Sequence, residues 1–259
     1  ADDETHPLYD RYIEWLDRKE RLEKMKSAYQ SSMAADTVVE HNEAVRMRSL
    51  GRLVDDDVDQ MEVHTLEGYR MFLGRRREPG SQAAPIIGGK RMGSVLRNLW
   101  MMTGQDNPYA DWALVRHEHS IAEVTARLER EVTAAEQAIE RQRKKGVHLS
   151  MLRNPEPARL SLGFRSPYGF GVAKLINDFD YFVRMQKTLE RKDLRSDDQV
   201  RQSIHEITRL IRRVWQDTSR FDRWLGRDEV KALGRSDFVE GALEEAAKRV
   251  QFATEVFGA

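Results

Sequence analysis

The sequence predicts a mainly α-helical, elongated protein with one short β ribbon, the ribbon forming part of a ribbon-helix-helix-like element. Three observations point there. Most of the chain repeats apolar residues at intervals of three and four among dense charges, the mark of amphipathic helices. The stretch PEPARLSLGFRSPYGF, Pro155 to Phe170, instead alternates with period two: Ala158, Leu160, Leu162 and Phe164 fall on one face, Arg159, Ser161, Gly163 and Arg165 on the other. Charged residues make up 33% of the chain, above the roughly 25% typical of globular domains, as long helices with solvated faces require.

From Leu8 to about Gln30, Leu8, Tyr12, Ile13, Leu16 and Met25 predict a first amphipathic helix. Residues 31–60 follow as a less regular, acidic connection. Its LVDDDVDQ lacks the combined sixth-position glycine and twelfth-position glutamate of a calcium loop, so Asp55, Asp56, Asp57 and Asp59 read as solvated. MEVH, from Met61, reads as a short strand or a helix start. A loop rich in Pro, Gly and Ser leads into a helix from about Ile86 to Met102. Gly88, Gly89 and Gly93 in that helix call for close approach, either of a packed neighbour or of a phosphate.

The turn at Asn107-Pro108 opens a helix predicted to run from about Tyr109 to Lys145, with Trp112, Val115, Ile121, Val124, Leu128, Val132, Ala135 and Ile139 as its apolar stripe and Gly146 as its stop. Its length makes a helix-mediated dimer plausible. His117 and His119 stand two apart, off a common helical face, so no metal site is expected of them. Val147 to Leu152 alternates and offers a second strand, joined to the first through NPEP. Helices from about Tyr168 to Arg191, from Ser196 or Asp197 to about Thr218, and shorter ones beyond complete the chain. The expected organisation is an N-terminal helix and acidic connection (1–60), a core (61–221) and C-terminal helices (222–259), packed as one domain.

Basic and acidic residues balance at 43 each, so a charge-based partner must be read from local patches. The chain has 0 cysteines, which excludes a disulfide framework and fits a reducing, cytoplasmic setting. No run approaches the ~20 apolar residues of a membrane span, and ADDETHPLYD lacks the basic and apolar regions of a signal peptide. No nucleophile elbow, phosphate-binding loop, H-E-x-x-H or dinucleotide fingerprint is present. The expectation is a protein that is not an enzyme and uses no cofactor, metal or small-molecule ligand.

A lone ribbon is marginal in water, so ARLSLGF needs a partner strand and an apolar support. The candidates for partner are the Val147 strand or the same strand of a second chain. The support is the next helix, through Val172, Leu175, Ile176, Phe179, Phe182 and Val183. Strand, helix, helix is the order of the β-ribbon DNA readers, whose outward side chains meet base edges in the major groove. Arg159, Ser161 and Arg165 are suited to base contacts. Arg75, Arg76, Arg77, Lys90, Arg91 and Arg97, in a region where Glu78 is the lone acid between Arg70 and Trp100, are suited to phosphates. Asp197 and Asp198 oppose this, because they place carboxylates at a helix start that would otherwise approach a phosphate.

The runs APIIGGKRMGSVLRNLW, DNPYADWALVRHE and LSLGFRSPYGFGVAKLINDFDYFVR, with the order I-I-G-x-x-R, N/D-P-Y-A-D-W, a strand, F-x-N/S-P-Y-x-F and D-F-D, resemble the integrating conjugative element proteins grouped with the AcaB-like transcriptional regulators of mobile elements in Gram-negative bacteria. The resemblance covers about Met61 to Phe221. It implies a dimeric regulator, an activator of conjugation genes, that binds double-stranded promoter DNA through a ribbon-helix-helix-like element. The motifs themselves read as scaffold, with Tyr109 and Trp112 in the core and Asp111 at a helix start. A helical interaction protein of a conjugation or replication assembly, using the long Tyr109–Lys145 helix as its surface, remains the alternative.

Overall fold

A computed structural model describes residues 57–76, 84–239 and 244–257, together with Leu16, residues 19–21, Glu23 and Lys24, which are helical. The rest of the helix expected from Leu8 to Gln30 lies outside the described residues. The chain divides into two compact units, Ala1–Asp56 and Asp57–Ala259, and everything below concerns the second.

That unit is mostly helical, with a two-stranded sheet. In chain order come β1 (Gln60–Val63), α1 (Leu66–Leu73), α2 (Gly89–Thr103), α3 (Pro108–Lys144), β2 (Ala158–Ser161), α4 (Pro167–Arg191), α5 (Asp197–Leu225), α6 (Asp228–Lys231), a 3-10 turn (Arg235–Phe238) and α7 (Glu244–Phe257). Local chemistry sets the boundaries. Asn107 caps α3 by accepting from the backbone N–H of Tyr109 and Ala110, with Pro108 in the first turn. A reciprocal capping box joins Ser196 and Gln199 at the start of α5.

Helices α2, α3, α4 and α5 pack on one another around Met92, Leu96, Leu99, Val124, Leu128, Ile176, Phe179, Phe182, Ile207, Ile211 and Trp215. Distal α3 is covered as well, with Ala135 and Ile139 against Met185 and Leu189 of α4. The apolar stripe of α3 is therefore spent inside the chain from Val124 onward. At its beginning the phase differs from expectation: Ala113, Leu114 and His117 turn inward, whereas Trp112 and Val115 are 48% and 66% exposed. Trp112 is not core. The buried positions there are Ala110, Ala113, Leu114 and His117, and Trp112 packs instead at the surface against Phe221 and Arg116.

The ribbon closes within the chain, on a strand other than either expected partner. β2 pairs antiparallel with β1, in the register Gln60 to Ser161, Met61 to Leu160, Glu62 to Arg159 and Val63 to Ala158. Residues 147–152 form no strand, although the Leu152 N–H bonds Thr188 Oγ1 of α4 at 3.0 Å. The Leu162 N–H to the Asp59 carbonyl, 2.9 Å, extends the pairing by one step. Gly163 then takes φ +53°, a left-handed conformation that suits glycine and ends the alternation.

The glycines of α2 serve packing rather than a phosphate. A side chain on Gly88 would strike the backbone of Phe72 to Gly74, one on Gly89 would strike Ile176, and one on Gly93 would strike the ring of Phe164. Phe164 is thus wedged between Gly93 of α2 and Gly169 of α4, and it seats the exit of the ribbon on the bundle.

Candidate nucleic-acid interface

One buried carboxylate fixes the entrance of the ribbon. Asp180 of α4, 2% exposed, accepts from the Thr65 N–H at 2.8 Å, the Thr65 hydroxyl at 2.6 Å and the His64 N–H at 3.1 Å. Thr65 in turn caps α1 by accepting from the Gly68 N–H at 3.0 Å. Carboxylates accept strongly from backbone N–H groups, so the residues just after β1 are tied to the middle of α4. This is the second Asp of the D-F-D run, and its partners lie more than a hundred positions away in sequence, which is why the sequence did not reveal its role.

The outward face of the ribbon then carries Gln60 and Glu62 from β1, and Arg159 and Ser161 from β2, all exposed. Met61, Val63 and Leu160 point inward. Arg159 and Glu62 face one another directly across the strands, with Nε donating to Oε1 at 3.2 Å. That bond uses Nε and leaves both terminal amino groups of Arg159 available. Arg165 is exposed and lies past the end of β2, next to Ser166, whose hydroxyl is buried without a partner.

The basic set divides. Lys90, Arg91 and Arg97 are exposed on α2, a helix with no Asp or Glu in its sequence. Lys90 and Arg97, seven apart, share one stripe. Arg91 instead leans toward Asp222 of α5, which also accepts from Asn98; burial nevertheless pushes the Asp222 carboxyl above its ordinary range. Arg75 sits in an antiparallel bridge with Ile86 and donates from Nη2 to the Ala84 carbonyl at 2.8 Å. Arg76 is exposed, and Arg77 lies outside the described residues.

Folding adds a cation that the sequence reading missed. Arg212 of α5 is pushed below the usual guanidinium range, first by burial and then by the nearby charge of Arg75. Its Nε is buried with no hydrogen-bond partner. Arg209, Arg212, Arg213, Arg220 and Arg223 crowd the later part of α5, against Asp217 and Asp222, a density that a charge count would have caught. The start of α5 remains acidic: Asp197 is paired with Arg201, and Asp198 stands beside it.

By fold and site, the molecule is a helical bundle that carries a clamped two-stranded ribbon and a basic flank on α2. Among the described residues, no group of three or more His, Asp or Glu is placed to hold a metal ion, and no helix is long and apolar enough to cross a membrane. The family model for the transcriptional regulator AcaB matches residues 49–259, and the chain belongs to this family of transcriptional regulators. The match reaches beyond the Met61 to Phe221 stretch that carries the sequence motifs. The crystal structure of selenomethionine-containing AcaB from uropathogenic E. coli is similar in fold, with a TM-score of 0.55 at 13% identity, covering 75% of this chain and 96% of that one. No curated protein matches by sequence.

Proposed function

We propose that this transcriptional regulator binds double-stranded promoter DNA as a homodimer and activates conjugative-transfer genes of a mobile element. The observation that carries the reading is the acid-free helix α2, with Lys90, Arg91 and Arg97 on its exposed surface and Arg75 beside Arg212. A cationic helix with no acid of its own, in a chain of zero net charge, suits phosphates, which supply affinity and its salt dependence. Arg76 and Arg77 extend the phosphate set. Base contacts fall to the clamped ribbon: Arg159 offers its terminal amino groups to a guanine, Ser161 serves either base, and Arg165 reads beyond the strand end. Because β1 already occupies one edge of β2, a dimer joins through the opposite edge or through helices. The two-fold half-site symmetry of an exchanged ribbon is not required.

The test is a titration of the full chain against promoter fragments from its mobile element and a shuffled fragment of equal length, at two salt concentrations. Preference for one promoter that survives the higher salt is expected; equal, salt-sensitive binding removes specific readout, and no binding removes the reading. Arg159→Ala should relax sequence preference by about 1–3 kcal/mol, whereas Lys90→Ala should weaken binding to all sequences alike and lower the salt slope by about one. Light scattering of the protein alone reads the dimer, and a promoter-reporter fusion distinguishes activation from repression.

A further inference from the structure

Helices α3 and α5 run antiparallel, with Trp112 against Phe221, His117 against Thr218 and Glu131 against Ser203. Between them opens a groove of about 760 Å³, within the roughly 300–1,000 Å³ of small-molecule sites. Five arginines line it, among them Arg116, Arg213 and Arg220, against Glu123 and Asp217. Arg220 lies 3.8 Å from Asp217, and Glu123 is shared with His119 at 3.5 Å. Arg116 and Arg213 have no carboxylate partner among the described residues.

The wall of this basic groove is aromatic. Trp112 is 48% exposed, with the Arg116 guanidinium 5.0 Å from its ring centroid and the Phe221 ring 5.2 Å away, tilted by 41°. An open indole beside a planar guanidinium is a stacking surface for a heteroaromatic ring. The floor carries no compensating charge: buried His117 bonds Thr218 Oγ1 at 2.9 Å and is neutral. Planar stacking and unpaired arginines together select a ligand that joins a flat ring to an anion.

We infer that this groove binds a free nucleotide, its base laid against Trp112 and Arg116 and its phosphates held by Arg213. Duplex DNA keeps its bases paired and stacked inside the helix, so an open aromatic wall calls for an unstacked base. The groove shares no residue with the DNA contacts assigned above, and its test uses no promoter, so either reading can fail without the other.

The experiment is a fluorescence titration of the full chain with N-methylanthraniloyl-ADP, competed by unlabelled ADP, adenosine, pyrophosphate and a single-stranded oligonucleotide. Saturable binding is expected, displaced by ADP at lower concentration than by adenosine or pyrophosphate. Trp112→Ala and Arg213→Gln should each weaken it roughly tenfold or more, and Lys90→Ala should leave it unchanged. Arg213 is exposed, so its variant decides the matter even where thermal melting shows that Trp112→Ala has disturbed the fold. Absence of saturable binding, indifference to Arg213→Gln, pyrophosphate matching ADP, or displacement by the oligonucleotide alone would each overturn the inference.

Discussion

His117 should make this protein acid-sensitive within a defined window. Its imidazole is 7% exposed, and burial lowers its pKa from the ordinary 6.5 to about 4. The Thr218 hydroxyl sits 2.9 Å from the Val214 carbonyl and 2.9 Å from His117 Nδ1. The hydroxyl donates to the carbonyl, so Nδ1–H donates to the hydroxyl and Nε2 keeps its lone pair. As pH falls below 6.5, the unfolded chain takes up a proton at this position and the folded chain does not. Stability is therefore complete above pH 6.5 and drains away between 6.5 and 4. The gap corresponds to about 3 kcal/mol in full, and to about 2 kcal/mol already lost at pH 5. Urea denaturation at pH 8 and pH 5, on the parent chain and on His117→Gln, isolates the effect from every other titrating group. The parent should lose about 2 kcal/mol more than the variant over that interval. Equal losses in the two proteins would refute the claim that a buried, neutral imidazole links α3 to α5.

Two further substitutions test the ribbon. Asp180→Ala removes the acceptor of three hydrogen bonds and strands two backbone N–H groups, so it should cost about 3–5 kcal/mol in chemical denaturation; a loss under about 1 kcal/mol would mean that the ribbon is not held by this clamp. Glu62→Ala removes the partner of Arg159 from a pair that is 75% and 51% exposed, so stability should shift by less than about 1 kcal/mol. The same change should tighten promoter binding in a fluorescence anisotropy titration, because one carboxylate leaves the proposed contact face. Weaker binding would make Glu62 itself a contact.

The helices were legible because local chemistry sets them. Asn107-Pro108, Ser196 and Gly146 mark ends that the structure keeps to within a residue or two, and the inward face of β2 follows from the alternation of Ala158, Leu160 and Leu162. MEVH was legible as a possible strand, but its pairing with β2 was not. Gln60 to Val63 is four residues of ordinary composition, and it meets β2 across 97 positions, a distance over which no periodicity carries information. The phase of early α3 misled for a different reason. Trp112 and Val115 look like core by residue type, but the buried side is taken by the small residues Ala110 and Ala113 with Leu114 and His117, which residue type alone does not single out. Of the candidate site residues, Arg159, Ser161, Lys90 and Arg97 were exposed as alternation and helical phase required. The surroundings of Arg159 and Arg75, with Glu62 opposite one and Arg212 beside the other, arise only from tertiary contact.

The way the ribbon is anchored bears on how it could read DNA. Its entrance is bound to Asp180 in the middle of α4, and its exit is wedged through Phe164 against Gly169 at the start of α4 and Gly93 of α2. Both ends are therefore referred to one helix, and α4 also packs against α2, which carries Lys90, Arg91 and Arg97. An exchanged ribbon would take its orientation from a dimer axis, whereas this one takes it from its own bundle. The groups proposed to face bases and those proposed to face phosphates are then fixed relative to each other within a single chain. On that geometry, a substitution that loosens the Asp180 clamp should damage sequence preference more than overall affinity, since the phosphate contacts proposed on α2 would stay in place while the proposed base contacts would lose their aim.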